Sequence, residues 1–290
     1  MTLGQLKIKG SVMTIFVNQK MLETFVFPGG ECHVRINPSD INDTAEILAY
    51  LEHSNAVLQL LLAVDAIRRV NPNTAINLTI PYFPYARQDR VCNPGEALSL
   101  SVMANLINSL QCNQVTIYDP HSEVTSALLN RCTIITLAEL ITGSSLAQEI
   151  VQKSLALVSP DAGAEKKITH LIQHLASPVE VFYARKTRNK LTGVITSTTL
   201  DGDVHGKDLI ILDDICDGGH TFIELAKVLK THGAGNLYLY VTHGIFSKGL
   251  DVLKLYFEKV YCYHTRLKPV EIDPLFLHVL GEAPVPVLSA

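Results

Sequence analysis

Cysteine is sparse in this sequence and never arranged for bonding. Cys32, Cys92, Cys112, Cys132, Cys216 and Cys262 are scattered over 290 residues with no Cys-x-x-Cys pair, which argues against a disulfide framework or a zinc site and fits a reducing cytoplasm. Long apolar runs are missing too. No stretch approaches the roughly 20 residues a membrane span needs, and Met1 to Met13 has lysines but no apolar core or cleavage signal, so neither a membrane partner nor a leader is expected. Basic residues are not in excess. Lys and Arg number 24 against 28 Asp and Glu, a net charge of −4, which argues against a nucleic-acid partner bound through a global positive field. Low-complexity linkers are also absent. What the chain has is apolar content, 47% against 18% charged residues, enough for a globular core and, at this length, for two domains.

Strand-like and helix-like patterns alternate. Apolar β-rich runs fall at 13–17, 76–80, 115–118, 155–158, 179–183, 209–212, 237–241 and 260–263. Helical periodicity covers 54–70, 98–110, 164–175 and 221–232. The alternation predicts an α/β protein with largely parallel sheets flanked by helices. The best boundary lies near 137–146, where Ile141-Thr142-Gly143-Ser144-Ser145 breaks the pattern, giving domains 1–140 and 141–290. A faint duplication supports two copies of one unit. Tyr85-Ala86-Arg87-x-x-Arg90 recurs as Tyr183-Ala184-Arg185-x-x-Arg188, and the strand-end acids Asp119 and Asp213 have a similar offset.

The most informative stretch is 208–221. Four apolar residues, Leu209 to Leu212, are followed by Asp213 and Asp214, then Asp217, Gly218, Gly219, His220 and Thr221. From Thr221 the apolar residues Phe222, Leu225, Ala226, Val228 and Leu229 recur at helical spacing, and Gly233 stands where a C-cap belongs. A strand, a glycine turn and a helix N-terminus make a phosphate cradle, because free N–H groups and the positive dipole end point at the ligand. The carboxylates repel phosphate and suit ribose hydroxyls or a metal. This predicts a sugar-phosphate site, although acids before a glycine turn are common in α/β proteins. A second stretch, Pro81-Tyr82-Phe83-Pro84-Tyr85-Ala86-Arg87-Gln88-Asp89-Arg90, combines three aromatics with two guanidinium forks, a composition suited to a nucleotide polyphosphate.

The first of these stretches resembles the ribose-phosphate loop of type I phosphoribosyltransferases and phosphoribosyl pyrophosphate synthetases. The second closely resembles the ATP-binding motif of the synthetases, and the likeness then extends over about 25–264. It implies two tandem type I phosphoribosyltransferase-like domains. It implies ATP contacts from Arg87, Gln88 and Arg90, and a loop carrying Phe27 and Glu31 that reaches a neighbouring subunit's adenine, hence a homo-oligomer, a hexamer by resemblance. Asp119-Pro120-His121 and Ser159-Pro160-Asp161 resemble the family's metal-side motifs, placing His121 and Asp161 at Mg2+. Lys186 and Arg188 match its mobile catalytic loop, and Asp213, Asp214, Asp217, Gly218, Gly219, His220 and Thr221 its ribose-phosphate site. The stretch 242–246 resembles another family motif, for which a packing role is expected. The implied reaction is Mg-dependent transfer of the β,γ-diphosphoryl group of ATP to the anomeric hydroxyl of ribose 5-phosphate.

Three positions depart from the family pattern. Gly29 replaces an Asp that contacts adenine, Gly218 replaces a Thr, and His220 replaces a Gly. The last two alter the phosphate end of the acceptor site, which opens an alternative: the same chemistry on a larger ribosyl acceptor such as ADP-ribose. A plain phosphoribosyltransferase needs no ATP motif, and a non-catalytic homologue would be expected to lose Lys186.

Overall fold

The computed structural model describes residues 15–188 and 195–281, with backbone alone for 186–188 and 195–198. Contacts divide the chain into two units at 135/136.

The first unit is built on a six-stranded sheet and a separate hairpin. In chain order it contains β1 (Ile15–Val17), β2 (Lys20–Met21), β3 (Glu23–Val26), β4 (Cys32–Arg35), β5 (Thr44–Ala49), α1 (Ser54–Val70), β6 (Ala75–Ile80), α2 (Ser99–Ser109), β7 (Gln114–Tyr118), α3 (Glu123–Leu128) and β8 (Cys132–Ile135). The sheet order is β2-β1-β5-β6-β7-β8, while β3 and β4 pair only with each other. From β5 to β8 the strands are parallel. Strands β6 and β7 alternate, and Ile76, Leu78, Ile80, Val115 and Ile117 turn one face to the core with Leu60, Ala63 and Ile67 of α1. Strand β5, Thr-Ala-Glu-Ile-Leu-Ala, is not among the strands expected from the sequence; Glu46 is exposed while Ala45, Ile47 and Ala49 are buried.

The second unit contains α4 (Leu137–Thr142), α5 (Ser145–Gln152), β9 (Ala156–Ser159), α6 (Ala162–Ile172), β10 (Val181–Arg188), β11 (Ile195–Leu200), β12 (Leu209–Cys216), α7 (His220–Thr231), β13 (Leu237–Gly244), α8 (Asp251–Lys254), β14 (Lys259–Thr265) and β15 (Leu277–Val279). Its seven-stranded sheet runs β11-β10-β9-β12-β13-β14-β15, all parallel except the β10–β11 pair. Leu209 and Ile211 pack with α7, whereas Ile210 and Leu212 pack with α6, so helices cover both faces. Strand order reverses between β9 and β12, the kind of switch point where the loops of an open α/β sheet part to leave a crevice.

The α/β class and parallel sheets match the sequence expectation, and α1 runs over 54–70 as its periodicity predicts. The Gly143–Ser144 break joins two helices, α4 and α5, that sequence periodicity left unassigned. Each unit has its own largely parallel sheet, as two copies of one unit would, but the repeated letters do not mark equivalent positions. Tyr85 lies in the loop beyond β6 at φ 62°, whereas Tyr183 is inside extended β10. Asp119 likewise follows β7, whereas Asp213 is inside β12. Matching letters here occupy unlike backbone. Among the described residues no helix is long and apolar enough to cross a membrane.

Candidate functional site

Strand β12 extends four residues past its apolar run, so Asp213 and Asp214 lie within the ladder rather than after it. Asp213 pairs in register with Val241 of β13, and the pairing continues to Cys216 and Gly244. On the other side, β9 pairs with β12 only as far as Ile211 opposite Val158. The acids therefore sit where one neighbour has ended, at the switch point. Alternation puts Asp214 on the α6 face, where its Oδ2 accepts from Lys167 Nζ at 3.1 Å. Asp214 is 6% exposed, and a carboxylate that buried is stable only when paired. Asp213 Oδ1 accepts from the Asp214 backbone N–H at 2.9 Å. Burial, then the charges of Asp214 and Asp161, push the Asp213 carboxyl well above its usual range.

The cradle follows. Gly219 is the N-cap of α7 at φ 77°, and no side chain caps that helix. A side chain on Gly219 would bring its Cβ to 3.0 Å from Leu253 Cδ2, so only glycine fits both the left-handed backbone and the space. A segment after β13 forms the wall of this turn. Ile245 and Phe246 N–H groups both donate to Cys216 O, at 2.8 and 3.1 Å. Ser247 donates from its N–H to Asp217 O at 3.1 Å and from Oγ to Asp217 Oδ1 at 2.6 Å. Asp217 is thus held by Ser247 and braces the turn. Gly218, His220 and Thr221 complete the loop, with His220 and Thr221 exposed. At the far end, Gly233 at φ 79° closes α7, its N–H donating to Lys230 O and the Ala234 N–H to Leu229 O. This is the expected glycine cap, in a Schellman arrangement.

Asp161 follows β9 and caps α6. Its Oδ1 accepts from the N–H groups of Gly163 at 3.0 Å and Ala164 at 3.3 Å, which starts the helix two residues before its apolar periodicity does. The Lys186-Thr187-Arg188 backbone is in β10, paired with β11 in a hairpin and with a register shift between Thr187 and Arg188. It is strand rather than loop up to 188, and the two side chains lie outside the described residues.

In the first unit, two loops leave the carboxyl ends of neighbouring strands. The Tyr118 N–H donates to Pro81 O at 3.2 Å, which carries the β6–β7 pairing into the 81–90 loop. Phe83 and Ala86 are buried and anchor this loop, leaving Tyr85, Arg87, Gln88 and Arg90 exposed. Asp89 connects it to the 119–122 loop. A hydrogen bond from Arg90, at 3.0 Å, holds the Asp89 carboxyl below its usual range, helped by a hydrogen bond from Ser122 and the charge of His121. Asp119 is buried at φ 35° and its N–H donates to Ile135 O at 2.9 Å. Arg87, Gln88, Arg90 and His121 are therefore brought to one end of one sheet.

Phe27 and Glu31 bracket the tip of the β3–β4 hairpin. The Phe27 N–H donates to Glu31 O and the Gly30 N–H to Phe27 O, both at 2.8 Å. Phe25, Phe27 and His33 pack edge to face or tilted, with centroids 5.1–5.8 Å apart. A Cβ on Gly29 would lie 2.7 Å from Glu31 Oε2, so Glu31 occupies the space the missing Asp side chain would have used. Farther along β13, Thr242, His243, Gly244 and Phe246 are buried, in line with a packing role for that stretch.

Sequence reasoning passed over Lys167, Asp89, Ser122 and Ser247 as site residues. Lys167 is separated from Asp214 by 47 positions and nothing local links them. Asp89 stood inside a motif read for its cations. Among the described residues, no group of three or more His, Cys, Asp or Glu is placed to hold a metal unaided.

Both halves of the chain match known families. Residues 13–110 match the family described as the N-terminal domain of ribose phosphate pyrophosphokinase, and 133–262 match the phosphoribosyl transferase domain. The ribose-phosphate pyrophosphokinase of Granulibacter bethesdensis is 30% identical over 228 residues, covering 79% of this chain and 70% of that protein. That of Aquifex aeolicus is 30% identical over 276 residues, covering 89% and 84%. The crystal structure of phosphoribosylpyrophosphate synthetase from Mycobacterium smegmatis has the same fold, with a TM-score of 0.74 at 22% identity over 90% of this chain and 85% of that one.

Proposed function

We propose, starting from the fact that this chain belongs to the ribose-phosphate pyrophosphokinase family, that it transfers the β,γ-diphosphoryl group of ATP to the anomeric hydroxyl of ribose 5-phosphate and releases AMP. The observation that carries the reading is the strand-turn-helix cradle at 213–221 in a chain that also bears a pyrophosphokinase N-terminal domain. A transferase of nucleobases would need the cradle alone.

Residue roles follow from charge. Asp214, as a carboxylate, accepts hydrogen bonds from ribose hydroxyls, and Asp213, whose carboxyl holds its proton more tightly, can donate to them or accept from them. The turn at Gly218 to Thr221 presents backbone N–H groups and the helix dipole to the 5′ phosphoryl group. Arg87 and Arg90 offer paired donors to ATP phosphates, with Gln88 beside them. Lys186 and Arg188 neutralise charge on the transferring group, since phosphoryl transfer asks mainly for positioning and electrostatics.

One imidazole and one carboxylate suit magnesium brought in by nucleotide phosphates, because Mg2+ takes few protein ligands and keeps water and phosphate oxygens around itself. His121 and Asp161 are the residues proposed to hold it. When bound it would neutralise phosphate charge and polarise the reacting phosphoryl group. Phe27 and Glu31 are proposed to complete a neighbouring copy's nucleotide site, which makes the active form a homo-oligomer; the free cysteines of the chain support a cytoplasmic location. The changed residues Gly218 and His220 favour a second reading, the same transfer to ADP-ribose.

The test is AMP release from ATP and magnesium with ribose 5-phosphate or ADP-ribose as acceptor. AMP and a pyrophosphorylated ribose product are expected from the wild-type chain, and Lys186→Ala is expected to lose several powers of ten in turnover. Nucleobase transfer without AMP would overturn the assignment. A preference for ADP-ribose would replace the acceptor and leave the chemistry standing.

A further inference from the structure

We infer that Lys248 determines acceptor binding: its ammonium contacts the phosphoryl group seated in the Gly218–Thr221 turn, replacing the side-chain donor that Gly218 lacks. This rests on the ribosyl-phosphate reading above.

Position comes first. The segment 245–247 is fastened to the turn by the hydrogen bonds to Cys216 and Asp217 already described. Phe246 is buried at φ 48° and Gly249 adopts φ 70°, with the Gly249 N–H donating to Phe246 O at 2.8 Å. This bend sets Lys248 against the cradle. A Cβ built on Gly218 would meet Lys248 Cγ at 3.4 Å and Ser247 Oγ at 3.8 Å. The lysine stem therefore covers Gly218, and the γ atoms of a Thr there would compete for the same space. Glycine at 218 and lysine at 248 are two halves of one arrangement.

Charge gives the reason. Asp214 and Asp217 bring negative charge to a turn that must accept a phosphoryl dianion, and Asp213 adds to it when ionised. The helix dipole supplies only about half a positive charge. Lys167 is engaged with Asp214. Lys153, Lys207, Lys227 and Lys254 in this unit also pair with carboxylates. Among the described residues Lys248 has no such carboxylate partner, and it is exposed with its Cγ beside Gly218. A full charge on a flexible stem reaches a phosphoryl oxygen farther out than a threonine hydroxyl does.

The test uses the full chain and reads AMP release while ribose 5-phosphate, ADP-ribose or ATP is varied in turn. Lys248→Met is expected to raise the acceptor KM about tenfold to a hundredfold, the loss of one charge-assisted hydrogen bond. The KM for ATP should stay within about twofold, because only the acceptor end is touched. Lys248→Arg should recover most of the loss. Thermal melting of both variants should match wild type, since the residue is exposed. An unchanged acceptor KM in Lys248→Met, or an equal rise for ATP and acceptor, overturns the inference and leaves the diphosphotransferase reading intact. No AMP from the wild-type chain with either acceptor overturns both.

Discussion

Asp161 caps a helix, and it is also a residue proposed to hold magnesium. Its Oδ1 caps α6, and the family resemblance places it beside the metal. The two duties separate by substitution. Asp161→Asn keeps an oxygen that accepts from Gly163 and Ala164, so stability should hold, whereas Asp161→Ala should lose about 1 kcal/mol. If Asp161 also serves magnesium, both variants should need more of it for half-maximal rate. Unchanged magnesium dependence in Asp161→Asn would leave the cap as its sole duty. Asp213 carries a different signature. Its folded pKa is raised, to about 8, by burial and the Asp214 charge. Below about pH 4 both folded and unfolded forms hold the proton and nothing is lost. As pH rises toward 8 the unfolded chain releases its proton while the folded chain retains it, so stability falls across that window. Asp213→Asn removes this dependence and keeps the acceptor for the Asp214 N–H. Its melting temperature in ligand-free protein should match wild type near pH 4 and exceed it increasingly toward pH 8. A gap independent of pH would show that Asp213 ionises normally.

The strand-turn-helix element from β12 to α7 depends on its two glycines unequally. Gly219 has both a left-handed backbone and a neighbour 3.0 Å from any Cβ. Gly219→Ala should therefore cost about 1–2 kcal/mol of stability, the penalty for a left-handed non-glycine residue. It should weaken acceptor binding as well, because the turn that aims the N–H groups is distorted. Gly218→Ala meets only van der Waals contact and should change stability by less than about 0.5 kcal/mol. Chemical denaturation of the pair checks this; equal losses would mean that Gly219 is not conformationally special. The same element shows the limit of periodicity. The apolar run 209–212 marks a buried strand, yet the strand runs to Cys216 because β13 continues to pair with it.

For the whole molecule, the prediction is assembly. The hairpin presenting Phe27 and Glu31 belongs to neither large sheet, and its tip is proposed to act on another copy. Sedimentation of the active protein should give a homo-oligomer, a hexamer by family resemblance. Mixing a Glu31→Ala chain with a Lys186→Ala chain should recover activity as subunits exchange, because each supplies what the other lacks. A fully active monomer would refute shared sites.

Much of this molecule was legible along the chain. The alternation of apolar runs and helical periodicity determined the α/β class, because both signals are local and buried parallel strands need continuous apolar residues. The span of α1, the cap at Gly233 and the cradle at 218–221 were legible for the same reason: caps and turns are set within a few residues. Tertiary structure decided what depends on distant partners. Strand β5 takes its place between β1, antiparallel, and β6, parallel, through pairing that its own residues do not specify. Lys167 meets Asp214 only because α6 crosses the face of β12, and Lys248 covers Gly218 only because two strand ends lie side by side. Sequence spacing carries no record of which strand becomes whose neighbour; non-local pairing supplies it, and that pairing selects the charges that surround the cradle.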